Sequence, residues 1–436
     1  MLVPKIAFTP NSKDDALTQY KTIQKLSILS QVLVSVDNFP YLNDSELKDT
    51  PSSHFCQLKL LSSCRVILGP FRATQLDIAL SYLDESIPTI LFDVFEDEFD
   101  LITQLDGIPF HRIVFRLRLD ATALNSCDTL IQQMKMLSNK CSGFILCIHS
   151  IPEVPEENEF TDHFDPILVI IQRIRSELKI SIYFGIELEI KSENASWIPF
   201  IALLHRKNIH VIAPAACEPM ETPNVLNACE AFIKCARSDR PDGLLTSVVV
   251  DEAGTALGLV YSSEQSLQQS FSSGYGVYYS RSRKQLWRKG ETSGNVQLLI
   301  QLDLDCDSDA VRFTVRQSGV GFCHLDQSSC WGQASGLRSL EKMLQSRVEN
   351  APTGSYTKRL LEDTELLRDK LVEEAQELAE AESKEEVAGE AADLLYFLMV
   401  KCVAAGISLT DIEKQLDKRS LKVKRRAGNS KTFCLP

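Results

Sequence analysis

The feature that most constrains this chain is a series of eight short apolar stretches of β type in its first half, each separated from the next by a longer polar or amphipathic stretch. They are Lys5–Phe8, Val32–Val36, Val66–Gly69, Thr89–Phe95, Ile113–Leu117, Phe144–His149, Ile182–Ile186 and His210–Ala213. Helical periodicity appears between several of them, over Gln75–Glu85, Cys127–Ser138, Pro166–Leu178 and Asn224–Cys235, whereas the acidic, proline-bearing Ile151–Pro166 reads as a long loop. Repeated strand-then-helix units bury a parallel sheet beneath helices. Eight such units suit a closed α/β barrel of the (β/α)8 type, with an open doubly wound sheet as the alternative. Asp37, Asp93, His149 and Glu187 stand near strand C-terminal ends, where barrels carry their chemistry. The region has no phosphate-binding glycine loop. Its histidines, His54, His111, His149, His163, His205 and His210, have no ligand-like spacing and read as structural or solvated.

With 436 residues, 44% of them hydrophobic, the chain can bury more than one core. It has no basic-then-apolar leader and no apolar run long enough to cross a bilayer, so neither secretion nor a membrane partner is expected. Thirteen cysteines, an odd number spread over a long chain, fit a reducing, cytoplasmic compartment better than a disulfide framework. A net charge of −13 argues against a general nucleic-acid surface, which needs clustered Lys and Arg.

At Arg237–Gly243 the composition shifts, and Pro241 with Gly243 marks a boundary. Strand-like Leu244–Asp251 and Ala256–Tyr261, helical Ser263–Ser272 and strand-like Gly276–Ser282 then give a compact α+β pattern, and beyond Trp331–Gly336 the chain is helical throughout. The expected domains are therefore 1–236, 237–336 and 337–436.

Two kinds of metal chemistry crowd into the middle domain. Read as a strand, Asp305-Cys306-Asp307-Ser308-Asp309 puts three carboxylates on one face and Cys306 on the other. Hard oxygen donors prefer Mg2+, whereas Cys306 with Cys323 and Cys330 offers three thiolates to Zn2+ and leaves a fourth position for water. The competing reading is a solvated strand edge or turn beside small buried cysteines. His324 adjoins Cys323 and is the candidate for proton transfer, while Asp303 is taken as a non-ligand. Arg281 and Arg283, read as sharing one strand face, with Trp287, Lys289, Glu291, Ser293, Gly294 and Asn295 form the densest basic and polar cluster before the tail, suited to a phosphate and a ribose.

With these residues in order, 237–332 resembles phosphoribosyl-AMP cyclohydrolase. The resemblance implies Zn2+ on Cys306, Cys323 and Cys330, Mg2+ on Asp305, Asp307 and Asp309, and a homodimer whose zinc site is shared between subunits. The implied reaction is hydrolytic opening of the adenine ring of phosphoribosyl-AMP at N1–C6.

In the last domain Glu373 and Glu377 lie four residues apart on one helix, and Glu390 and Asp393 three apart on a second. Apolar stripes (Leu366, Leu367, Leu371, Ala375 and Leu378; Leu394, Leu395, Leu398 and Val400) are expected to pack the two helices together. A carboxylate cage for Mg2+ is set against an ordinary solvated acidic face. Glu-Glu-x-x-Glu over 373–377 followed by Glu-x-x-Asp, with Tyr356, Thr357 and Lys370, resembles phosphoribosyl-ATP pyrophosphohydrolase. That resemblance implies metal-binding or catalytic roles for Glu373, Glu374, Glu377, Glu390 and Asp393, substrate-binding roles for Tyr356, Thr357 and Lys370, and release of pyrophosphate from a bound nucleotide triphosphate. The basic tail Arg419, Lys422, Lys424, Arg425 and Arg426 reads either as a phosphate contact or as a solvated end.

Together the two segments resemble the bifunctional enzyme of histidine biosynthesis, in its fungal form with an N-terminal extension and with the histidinol dehydrogenase activity expected to be absent. The rivals are a non-enzymatic scaffold with decayed sites and a general nucleotide-pool pyrophosphatase. The first domain is left with an open role, a degenerate barrel of structural or regulatory use being preferred to an independent enzyme.

Overall fold

The computed structural model describes residues 1–8, 13–36, 59–103, 109–120, 127–149, 160–178, 183–188, 197–217, 225–325, 327–332, 335–352 and 354–423. Asp37, His54, most of the expected loop 151–166 and the tail residues Lys424, Arg425 and Arg426 lie outside the described residues or largely so. The chain forms two compact units. The first holds Met1–Val249, Leu259–Arg316 and the described residues from Leu421 on, and the second holds Val250–Gly258 and Gln317–Ser420.

In the first unit, strands β1 (Leu2–Ala7), β2 (Val32–Ser35), β3 (Val66–Phe71), β4 (Thr89–Asp93), β5 (Ile113–Asp120), β6 (Gly143–His149), β7 (Tyr183–Leu188) and β8 (His210–Ala216) pair in sequence order. β8 returns to β1, parallel to it, with Leu2 opposite Val211 and Val3 opposite Ile212. The sheet is therefore a closed barrel, and the open doubly wound alternative is excluded. Helices Lys13–Leu26, Leu76–Asp84, Phe99–Thr103, Cys127–Leu137, Phe160–Leu178, Trp197–Arg206 and Ala228–Cys235 run between or after the strands. One expectation is overturned: the helix begins at Phe160, so 160–166 are helical rather than loop. Its acidic, proline-bearing composition hides the helical start.

Alternation along each strand sorts the side chains. Val3, Leu33, Ile67, Leu91, Val114, Ile145 and Ile212, one from each of seven strands, cluster with Tyr183 of the remaining strand. On the same face, further toward the strand C-terminal ends, sit Lys5, Asp93, Arg116 and Glu187. The opposite face carries Phe71, Phe92, Phe115 and Phe144, all fully buried, with successive ring centroids 6.3, 6.5 and 6.4 Å apart. Burying each such ring contributes about 1.5–3 kcal/mol.

Past the barrel come β10 (Leu245–Val250) and β11 (Ala256–Ser262), preceded by the two-residue β9 (Leu226–Asn227) that extends the barrel sheet beside β8. The helix Glu264–Ser273 follows, opened by a reciprocal Ser263–Ser266 cap and closed by Gly274 at φ 74°. β12 (Val277–Ser280) and β13 (Gln285–Arg288) form an antiparallel hairpin. β14 (Gln297–Leu304) and β15 (Ala310–Gln317) complete a four-stranded sheet in the order β11-β10-β15-β14. Tyr278 of the hairpin is fully buried, edge-on to Trp287 and Phe313 and donating to Gln297 Oε1 at 2.6 Å.

The second unit is helical: Gly336–Asn350, Tyr356–Glu362, Thr364–Glu380, Lys384–Ala404 and Leu409–Ser420. Asp363 caps the third helix through Leu366 N, and Ser383 with Glu386 forms a reciprocal cap on the fourth. The core is Leu344, Leu360, Leu367, Phe397, Met399 and Val400. Here the expected stripes need correcting. Ala375, Leu395 and Leu398 are exposed, and Phe397 and Met399 turn inward instead, because the buried arc of the fourth helix is set by all its partners rather than by one facing helix. No single helix among the described residues is long and apolar enough to cross a membrane.

Candidate active sites

Asp305, Asp307 and Asp309 do not lie on a strand. β14 ends at Leu304, β15 begins at Ala310, and the carboxylates sit in the connecting turn, where Asp305 N donates to Ala310 O at 3.1 Å and Asp305 Oδ1 accepts from Ala310 N at 3.1 Å. The turn, not strand alternation, brings one oxygen from each of the three to within 4.8 Å of one another. Loss of hydration with the charges of Asp307 and Asp305 raises the Asp309 carboxyl above its ordinary value. Exposed, converging hard oxygens of this kind are a donor set that fits Mg2+. At the centre of the turn Ser308 is buried and holds φ 68°. Asp303 is committed elsewhere: its oxygens accept from Arg65 Nη1 at 2.9 Å, Arg312 Nη2 at 2.8 Å and Gln301 Nε2 at 2.8 Å.

Behind the turn, His205 Nε2 lies 2.8 Å from Ser308 Oγ, and His205 Nδ1 lies 3.0 Å from the Met1 nitrogen. Which ring nitrogen carries the proton follows the tautomer, and either one leaves His205 bridging Met1 and Ser308. Burial first, and the Met1 amine beside it second, push His205 down to about 4, which keeps the ring neutral near pH 7. No local pattern marks His205, because its partner is 103 residues away.

Cys306, Cys323 and Cys330 are in no disulfide. Cys306 belongs to the first unit and is exposed; Cys323 (buried) and Cys330 (exposed) belong to the second. Two acidic groups gather among the described residues, and these thiols are in neither. Three thiolates nevertheless remain a donor set of the type Zn2+ takes. Exposed His324 has its Nδ1 4.0 Å from Cys323 Sγ.

Arg281 and Arg283 are not on a strand face either. They lie in the turn of the β12–β13 hairpin, where Ser280 pairs with Gln285 and Lys284 takes φ 52°. The turn contributes Ser280, Arg281, Ser282 and Arg283 to an open cavity of about 620 Å³, whose remaining wall is Leu259, Val260, Tyr261, Tyr279 and Trp287. The Arg281 guanidinium stands 3.8 Å from the Tyr261 ring centroid, so a cation is held over an aromatic face at the cavity wall. Gly290, at φ 84°, leads the loop of Glu291, Ser293, Gly294 and Asn295; a Cβ there would meet the Asn295 carbonyl carbon at 2.3 Å. Lys289 Nζ is 6.0 Å from the Trp287 ring.

In the second unit, Glu374 from the third helix meets Glu390 and Asp393 from the fourth, with one oxygen of each within 4.8 Å of the others. Burial and the charges of Glu377, Glu374 and Asp393 raise the Glu390 carboxyl. Lys370 bridges Glu373 at 2.8 Å and buried Glu374 at 2.9 Å. Glu373 is thus turned to Lys370, while Glu377 stays beside Glu390. Thr357 is fully buried, 2.9 Å from Tyr396 Oη and 2.6 Å from Arg347 Nη1, and half-exposed Tyr356 stands edge-on to Phe397. Arg419 and Lys422 are exposed.

A closed barrel followed by an α+β module with a basic cavity and an acidic turn, and then by a helical module with its own carboxylate group, defines a multidomain enzyme with two separate sites. Residues 258–332 match the phosphoribosyl-AMP cyclohydrolase family and residues 337–420 the phosphoribosyl-ATP pyrophosphohydrolase family. The chain is similar to the Histidine biosynthesis bifunctional protein HisIE of Pyrococcus furiosus, 33% identical over 205 residues covering 44% of this chain and 98% of that protein. It is also similar to the Histidine biosynthesis bifunctional protein his7 of Schizosaccharomyces pombe, 49% identical over 239 residues, 53% of this chain and 57% of that one. The Histidine biosynthesis trifunctional protein of Saccharomyces cerevisiae is 54% identical over 196 residues, 45% of this chain and 24% of that one. The chain therefore matches little more than half the length of the first of these fungal relatives and about a quarter of the second. The chain belongs to the bifunctional phosphoribosyl-AMP cyclohydrolase and phosphoribosyl-ATP pyrophosphohydrolase family of histidine biosynthesis.

Proposed function

We propose that the chain catalyses two consecutive hydrolyses: phosphoribosyl-ATP to phosphoribosyl-AMP and pyrophosphate in 337–436, then opening of the adenine ring of phosphoribosyl-AMP at N1–C6 in 237–336. The observation that carries this reading is that each family segment keeps a gathered carboxylate group, Asp305, Asp307 and Asp309 in one and Glu374, Glu390 and Asp393 in the other.

In the helical module Glu373, Glu374, Glu377, Glu390 and Asp393 would hold Mg2+, which when bound neutralises phosphate charge and aligns the displacement of pyrophosphate by water. Lys370 orients Glu373 and Glu374 and supplies positive charge beside the triphosphate, with Tyr356 and Thr357 assigned to substrate. One of the glutamates accepts the proton of the attacking water. In the α+β module Arg281 and Arg283 take the phosphate, Trp287 stacks on the base, and Lys289, Glu291, Ser293, Gly294 and Asn295 hold the ribose and its substituents. Cys306, Cys323 and Cys330 would hold Zn2+, contributed by both subunits of a homodimer, and the bound ion lowers the pKa of water so that hydroxide is available near neutrality. Asp305, Asp307 and Asp309 would hold Mg2+ beside the substrate, and His324 moves the proton. The substrates are small nucleotides and the compartment is the cytoplasm; the barrel carries neither of these reactions.

The test is to supply phosphoribosyl-ATP with Mg2+ and Zn2+ and resolve products over time. Pyrophosphate followed by the ring-opened product is the expected result. Pyrophosphate with phosphoribosyl-AMP accumulating would remove the second activity, and no turnover would favour a scaffold with decayed sites.

A further inference from the structure

We propose that the barrel is a positioning scaffold for the Asp305–Asp309 turn, with His205 as the positioning residue that acts through Ser308. The inference rests on the reading of that turn as a Mg2+ site.

Three carboxylates drawn together repel one another, and a turn that gathers them before a cation arrives must be held from behind. Beyond the turn's own hydrogen bonds and those of its sheet, several restraints on it and on the strand leading into it come from the barrel side of the same unit. His205, in the last turn of the helix Trp197–Arg206, hydrogen-bonds Ser308 Oγ through Nε2 at 2.8 Å. The backbone just after the barrel supplies a second bond, from Arg237 N to Ser308 O at 2.7 Å. Ser308 is thus gripped by side chain and main chain at once, at a φ of 68° that a residue with a Cβ seldom adopts. One strand-length earlier, Leu302 N donates to Ile28 O at 2.8 Å, and Arg65 ties Asp303 at 2.9 Å while its other nitrogens bond Ser27 O at 2.7 Å and Ile28 O at 2.8 Å. The other ring nitrogen of His205 lies 3.0 Å from the Met1 nitrogen. This is the arrangement expected of groups behind metal ligands, which orient the ligands without touching the ion.

The test uses the full chain and Mn2+ as a spectroscopic stand-in for Mg2+. Free Mn2+ is counted by electron paramagnetic resonance in wild type, His205→Ala, His205→Gln and Ser308→Ala, with Asp307→Asn identifying which binding step belongs to the turn. His205→Ala and Ser308→Ala are expected to weaken that step by about 10-fold or more. His205→Gln, which can still donate to Ser308, restores it. In turnover, His205→Ala raises the Mg2+ requirement and lowers kcat for ring opening with KM little changed, while pyrophosphate release is unaltered. Unchanged Mn2+ affinity in both alanine variants overturns the inference, as does a Gln variant no better than Ala. A wild type that opens no ring counts against the assigned activity alone, because the Mn2+ comparison decides the scaffold inference without turnover.

Discussion

Lys370 Nζ lies 2.9 Å from the Glu374 carboxylate, which is buried and shares a ligand group with Glu390 and Asp393. A single cation therefore offsets part of the repulsion in a site built almost wholly from carboxylates. Its own proton is held more tightly than usual, the hydrogen bonds to Glu373 and Glu374 being the first causes. Replacing it by Met is expected to lower pyrophosphate release by at least 10-fold, the scale on which supporting partners act, and to leave ring opening intact. Equal loss of both activities would show a folding defect instead.

Without metal, the gathered carboxylates should destabilise the chain in a pH-dependent way. Asp309 and Glu390 bind protons more tightly folded than unfolded. For such raised groups the stability is complete below the ordinary carboxylate range and is lost as pH rises through the raised folded values. Melting temperature in EDTA should fall over that window, and added Mg2+ should flatten the slope. A slope that persists in saturating Mg2+ would locate its source elsewhere.

The barrel interior predicts the opposite trend. Arg116 bonds Asp93 Oδ2 at 2.8 Å and Glu187 Oε2 at 3.0 Å, and Lys5 meets Glu187 at 2.5 Å. Burial works against the Glu187 charge, but Arg116 and Lys5 outweigh it and hold the carboxyl below its ordinary value. Its contribution is present at neutral pH and is lost as pH falls through the lowered folded value. Arg116→Met leaves two buried carboxylates without their main partner and should cost about 3–5 kcal/mol in urea unfolding. A loss below about 1 kcal/mol, the level of an exposed pair, would mean the network is wetter than its burial implies.

Cys323→Ala should abolish ring opening and reduce zinc content while sparing pyrophosphate release, and Glu377→Ala should do the reverse. Product chromatography with metal analysis separates the two. Ring opening that survives in the Cys323 variant after chelation would sink the zinc assignment.

Gly290→Ala forces a Cβ into a backbone conformation that costs roughly 1–2 kcal/mol and against the Asn295 backbone. The loop that offers Ser293, Gly294 and Asn295 must shift, so KM for ring opening should rise severalfold, on the order of 10-fold for that cost, with kcat less affected. An unchanged KM would remove this loop from the substrate site.

Much of the fold was legible because it is local. All eight strands lie where apolar β-type runs stand, and Glu373 with Glu377 and Glu390 with Asp393 lie on two successive helices, as their spacing predicts. The site candidates are legible as residue types and spacings, but their geometry is not. A period-two pattern puts Asp305–Asp309 and Arg281–Arg283 on strand faces, yet both are turns, in which Ser308 and Lys284 adopt positive φ that no such pattern encodes. On the fourth helix of the second unit, Leu395 and Leu398 fit a stripe by spacing and remain exposed, since which arc is buried depends on all the helices around it.

By itself, the sequence determined the order of the modules, the parallel strand-and-helix character of the first and the chemical identity of both acidic groups, since these follow from residue type and near-neighbour spacing. Only the tertiary structure decided that the barrel closes, through β1 and β8 some 200 residues apart, and that His205 reaches Ser308 across 103 residues. Both are contacts between distant segments, and pairings at that range are fixed by the packing of the whole unit rather than by any local preference of the chain.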